Sequence, residues 1–207
     1  MRAFCLALLL LAAADPAFAE DCTKDLLTAF QKQRTSKAFR VEFSQQTPEG
    51  EVHMKVDYMP PDRMLQTVTS PAMPGEQQTM LVGNRAFAGS NGAFEELLPQ
   101  FTQSIIAEFN NAVGVPKNLG TFECVGKSKF DDHELVGYRT AEKIPAGADT
   151  SKIMARTIYV DPATGLPTYN VIAALSGSAD PALKIKYSYP TDVEIVAPTN
   201  APVQKTY

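Results

Sequence analysis

Two short stretches of helical period set among about nine strand-like segments predict an α+β chain built on one antiparallel sheet. Apolar residues recur every three or four positions only near residues 23–35 and 99–113, and elsewhere they mostly alternate. The alternating segments also follow one another through tight-turn signals, without the helical crossovers that parallel strands need.

The first helix is expected from about Thr23 to Thr35, with Thr23 as N-cap and Leu26, Leu27 and Phe30 on one face. The period then changes to two. Phe39, Val41 and Phe43 alternate with Arg40, Glu42 and Ser44, and TPEGE turns the chain into VHMKVDY, where Val52, Met54, Val56 and Tyr58 oppose His53, Lys55 and Asp57. Pro60-Pro61 ends that strand because proline donates no ladder hydrogen bond, and RMLQTVTS begins the next. PAMPGE is expected as a loop before QQTMLVG, Asn84-Arg85 as a turn into AFAGS, and Asn91-Gly92 as a tight turn before AFEEL. The second helix fits from about Pro99 to Val113, with Phe101, Ile105, Ile106 and Phe109 on one side. Strand-like composition returns in TFECVGKSKF, ELVGYRTAEK, RTIYVD, LPTYNVIAAL and ALKIKYSY, with DPATGLP as a hairpin connection. Leu183, Ile185, Tyr187 and Tyr189 share one side of the last strand, and residues 198–207 read as a loose tail without apolar period.

The amino terminus reads as an export signal: Arg2, an apolar run from Ala3 to Ala14, Pro16, and small residues at Ala17 and Ala19 before the expected cut. The run is shorter than the ~20 residues a membrane-spanning helix needs. Residues 1–19 are thus expected to be removed and residues 20–197 to form one periplasmic domain. Glu20-Asp21 precede Cys22 where a lipoprotein signal would carry a different motif, so lipidation there is not expected. Removing the signal takes Cys5 away and leaves Cys22 and Cys124. In an oxidising compartment the two are expected to pair, the alternative being two buried free thiols.

The formal charge of −4 is mild and unclustered, with no basic stripe for nucleic acid and no polybasic patch for an anionic membrane. A monomer without cofactor is the expectation. A sheet of this size with one apolar face must curl, close or be covered, and two helices of about 20 Å each cover only part of it. A curled sheet so covered leaves an apolar hollow.

In order and spacing, the amino-terminal helix, FRVEFSQQT, the strand ending in YMPPDRM, MLVGNRAFAGS, the second helix and YVDPATGLPTYNVI resemble the outer-membrane lipoprotein carrier superfamily. That resemblance implies an unclosed, half-pipe β-barrel with helices as a lid over a cavity for acyl chains. Carried onto this chain, the lining is Phe39, Val41, Phe43, Met54, Val56, Tyr58, Met64, Phe87, Leu183 and Ile185, with Leu26, Phe30, Ile105 and Phe109 under the lid. The chaperone of that superfamily places a lid-latching arginine just before the proline that ends the second strand. Here Met59 precedes Pro60, and Arg63 comes three residues later.

The function this implies is a carrier or chaperone for lipid or acylated protein, with membrane-associated donor and acceptor proteins as its partners. A sensor or protein-interaction module of the same fold is the alternative. Catalysis has little support: His53 alternates outward, His133 lies in the expected turn FDDHE with Asp131 and Asp132, and no nucleophile elbow or phosphate loop occurs. Methionines Met54, Met64 and Met80 suit either an adaptable lipid surface or an ordinary core.

Overall fold

Each alternating segment pairs with the next in sequence, as short turns between antiparallel strands require. A computed structural model describes residues 22–116, 119–141, 144–177 and 180–205; the expected signal segment and Cys5 lie outside them. Helix α1 (Thr23–Arg34) leads into β1 (Phe39–Thr47), β2 (Gly50–Met59), β3 (Arg63–Ser70), β4 (Met73–Val82), β5 (Arg85–Ser90) and β6 (Ala93–Glu96). Helix α2 (Pro99–Val113) follows, then β7 (Phe122–Phe130), β8 (His133–Thr140), β9 (Met154–Asp161), β10 (Leu166–Ala174) and β11 (Leu183–Ser188). The sheet has 11 strands rather than about nine, because even the four-residue β6 is held by ladder bonds to β5.

The strand order β6-β5-β4-β3-β2-β1-β11-β10-β9-β8-β7 is two meanders joined where β1 pairs with β11. The edges β6 and β7 are adjacent in sequence only through α2, so α2 must carry the chain across one face. Laid flat, such a sheet would be about 48 Å wide. A helix of 15 residues reaches about 22 Å. The curved, unclosed α+β sheet expected from the sequence is therefore the architecture observed.

Several local expectations need correction. Thr23 is not the N-cap of α1; Cys22 is, and the Thr23 hydroxyl accepts the backbone N–H of Phe122 at 2.9 Å. With the Cys22–Cys124 disulfide and the Cys22 N–H donated to the Phe122 carbonyl, this fastens the start of α1 to edge strand β7. Most of PAMPGE belongs to β4, because the register shift at Thr69/Ser70 and the positive φ of Gly75 let the ladder continue past the turn. His133 opens β8 instead of lying in a turn, which is made by Asp131 and Asp132, both at positive φ. The Asn91-Gly92 turn is as expected, with φ of 50° and 82°.

Nor is the tail loose over its described part. Ala201 is half-buried against the cluster of Met80, Phe87 and Ile195, and Val203 bridges in parallel to Glu96. The Glu96 N–H donates to the Pro202 carbonyl and the Gln204 N–H to the Glu96 carbonyl, so the segment satisfies the free edge of β6. Proline-rich sequence without apolar period can still pair at an edge, where one row of backbone groups has no other partner.

Candidate functional site

Strand alternation sorts the residues into two faces. Register places Phe39, Val41 and Phe43 beside Tyr58, Val56 and Met54, and Met64, Leu81 and Ala86 continue the same face outward from Tyr58. Both helices pack on this inner face, over different halves. Leu26, Ala29 and Phe30 of α1 cluster with Phe122, Ile158 and Val160, whereas Phe109 of α2 clusters with Phe39, Val56, Tyr58, Met64, Leu81 and Ala86. Val41, Met54, Ile105 and Ile106 are half-buried against the second cluster.

The residues expected to line and cover one cavity are thus distributed. Phe39, Val56, Tyr58 and Met64 form a packed core beneath α2, and Val41 and Met54 lie at its margin. Leu183, Ile185 and Phe43 are half-buried on the same face, where Phe43 pairs with Ile185. Phe87 is on the opposite face, because it pairs with Met80, which pairs with Leu65 and through it with Asp57; there it meets Ile195. Leu26 and Phe30 share no cluster with Ile105 and Phe109. Arg63 holds no lid either, since its guanidinium donates to the Ile195 carbonyl at 3.0 Å on the outer side.

The two helices are linked by a file of aromatic rings. Arg34, in the last turn of α1, lies with its guanidinium carbon 4.9 Å from the Phe39 ring centroid; Phe39 stacks on Tyr58 at 4.9 Å, and Tyr58 meets Phe109 at 6.2 Å. Sequence reading missed Arg34, although a signal existed: it stands four residues after Phe30, one turn further along the buried face. Gln33 is fully buried and donates to the Tyr189 hydroxyl at 3.2 Å, which in turn donates to the Pro167 carbonyl at 2.7 Å. Burial pushes the Tyr58 phenol up to about 12, raises Tyr187 and Tyr189, and pulls the Arg34 guanidinium below its ordinary value.

Open space lies beyond α2. A groove of about 590 Å³ is lined partly by Glu42, His53, Lys55, Lys184 and Lys186, whose alternation assigns it to the outer face. His53 is exposed there, with its Nδ1 2.6 Å from the Ser44 hydroxyl. On the inner face past α2, a trough of about 530 Å³ is bordered by Gln66, Gln77, Thr79 and Ser90. The inner face therefore grades from apolar under α2 to polar at its far end. Asp131 is engaged by Lys184 and Tyr169. No group of three or more potential metal-ligating side chains occurs among the described residues.

No protein-family model and no curated protein matches the sequence. Among solved structures the chain is similar to the Mycobacterium tuberculosis lipoprotein LppX, with a TM-score of 0.53 and 14% identity, covering 84% of this chain and 97% of that one. It is likewise similar to LprF from Mycobacterium bovis, with a TM-score of 0.52 and 11% identity, over 87% of this chain and 99% of that one. The likeness is one of fold. The half-barrel expected from the resemblance is thus the fold this chain has, shared with LppX and LprF over almost their whole length. Among the described residues no helix is long and apolar enough to cross a membrane.

Proposed function

We propose that this chain is a non-catalytic, exported periplasmic carrier that shelters acyl chains of lipid or lipid-modified protein beneath α2. The observation that carries the reading is the way α2 is held. It contributes Phe109, Ile105, Ile106, Ala112 and Val113 to the inner face, and its one charged residue, Glu108, forms no ion pair among the described residues. Neither helix end has a side-chain cap. Such a helix depends on its apolar contacts, and a ligand offering equivalent contacts can replace them.

Magnitudes allow the exchange. Three large apolar side chains of α2 contribute about 1.5 to 3 kcal/mol each when buried, whereas burying an acyl chain of about sixteen carbons yields about 0.8 kcal/mol per methylene. Lifting α2 would uncover Phe39, Val56, Tyr58 and Met64, with Val41 and Met54 beside them. The fold shared with LppX and LprF adds support, since an unclosed sheet leaves part of its inner face beyond the reach of two short helices.

The test is displacement of a fluorescent fatty-acid analogue. Saturable binding is expected, and longer chains should compete better until the space is filled. Competition that does not depend on chain length would remove the carrier reading. A stoichiometric protein partner captured without lipid would instead favour an interaction module.

A further inference from the structure

Along β3 and β4 the inner face changes character within two residues of each strand. Met64 pairs with Leu81 beneath α2, the next inward pair is Gln66 with Thr79, and the one after is Val68 with Gln77. On β5 the last two rows continue to Ala88 and Ser90. Short side chains on β5 beside longer ones on β3 and β4 leave the trough of about 530 Å³, and Gln66, Gln77, Thr79 and Ser90 are half-buried along it. Glu95 is the one ionisable side chain on its border.

The hydrogen-bonding capacity of this trough is only partly used. Gln77 donates its Nε2 to the Pro74 carbonyl at 3.1 Å and to the Ser90 hydroxyl at 3.4 Å, and Gln66 donates its Nε2 to Met54 Sδ at 3.5 Å. Among the described residues the side-chain carbonyl oxygens of both glutamines and the Thr79 hydroxyl have no partner. Free acceptors beside a hydroxyl suit a ligand that donates from hydroxyl groups of its own. An anion finds no cation along this border to offset the loss of its hydration. The trough is also continuous with the apolar site: Gln66 pairs with Val56, which is buried beneath α2, and touches Met54 at the margin of that cluster. One strand spacing, about 4.8 Å, separates the polar row from the apolar one.

We propose that the trough is the head-group site for an uncharged, hydroxyl-bearing amphiphile whose acyl chain runs beneath α2. This rests on the carrier reading and adds the class of cargo. The test compares 1-monooleoylglycerol, methyl oleate and oleate as competitors of a neutral fluorescent acyl probe on the full exported chain. Monooleoylglycerol should bind about fivefold or more tightly than methyl oleate, and oleate should gain nothing over methyl oleate. Thr79→Val and Gln66→Met nearly keep the size of the side chain and remove its hydrogen bonding. Each should abolish most of the glycerol ester's advantage and leave methyl oleate unchanged. Equal binding of the two esters, an advantage unchanged in both variants, or tighter binding of oleate than of monooleoylglycerol would overturn the head-group site and leave the carrier reading standing. Failure of all three competitors would overturn both. If Gln66→Met does not fold, Thr79→Val, a β-branched exchange within a strand, decides the matter alone.

Discussion

Val56 shows how one side chain separates a closed face from an open one. It is 5% exposed beneath α2. A carboxylate there must be desolvated or protonated, so Val56→Asp should lose about 3 kcal/mol or more, read as a lower melting temperature. Met54→Gln, at the half-buried margin of the same strand, should cost markedly less. Equal melts for the two variants would contradict the burial of Val56. The phenols make a second residue-scale prediction. Tyr58 ordinarily titrates near 10.0 and is raised to about 12 by burial, so the folded state holds its proton more tightly than the unfolded chain. That contribution is fully present below pH 10 and is lost as the pH rises toward 12. Tyr187 and Tyr189 act in the same direction. Stability should therefore fall over this alkaline range, with tyrosinate absorbance appearing as the protein unfolds.

At the scale of elements, the two helices differ in how they are attached. α1 is fastened by the Cys22–Cys124 disulfide, which closes a loop with a sequence separation of 102, and by the Thr23 bond to β7. In the chain-entropy model such a loop is worth about 4 to 5 kcal/mol. Cys22→Ser with Cys124→Ser should lower the denaturation midpoint accordingly, and reductant should then have no further effect. α2 has no such fastening, and Phe109 is its one large apolar side chain that is fully buried. Phe109→Ala should cost about 3 to 5 kcal/mol if the helix stays in place, and less if it lifts. Faster hydrogen exchange confined to α2, with β1 and β2 still protected, is the expected result. Exchange that accelerates throughout the sheet would identify α2 as a structural cover instead of a lid.

Over the whole molecule, the sheet is covered on both faces by different means. The helices occupy the inner face, while the carboxy-terminal segment crosses the outer one and buries Ile195 against Met80 and Phe87. Ile195→Ala should lose about 2 to 5 kcal/mol in a thermal melt. Deleting residues from Asp192 onward should expose Phe87 and increase binding of an apolar dye on the outer face. An unchanged melt in both would mean the segment contributes little. Both meanders and the second helix were legible from alternation, turn chemistry and helical period, because these are properties of neighbouring residues. The packed core beneath α2 was less so, since an apolar strand face reads the same whether it is filled by a helix, a ligand or nothing.

What the chain determined by itself is therefore local: about nine segments of strand period, two helices, the Asn91-Gly92 turn and the hairpin through Gly165. The covalent pairing of Cys22 with Cys124 followed from their number and the expected compartment. Tertiary structure alone decided which face each strand turns inward. The family resemblance implied an inward Phe87, which lies outward; AFAGS carries apolar residues on both sides and alternation cannot choose between them. The same holds for the division of the face between α1 and α2 and for Val203 finding the edge of β6. Each depends on pairing or packing between segments apart in sequence, which no pattern of neighbouring residues specifies.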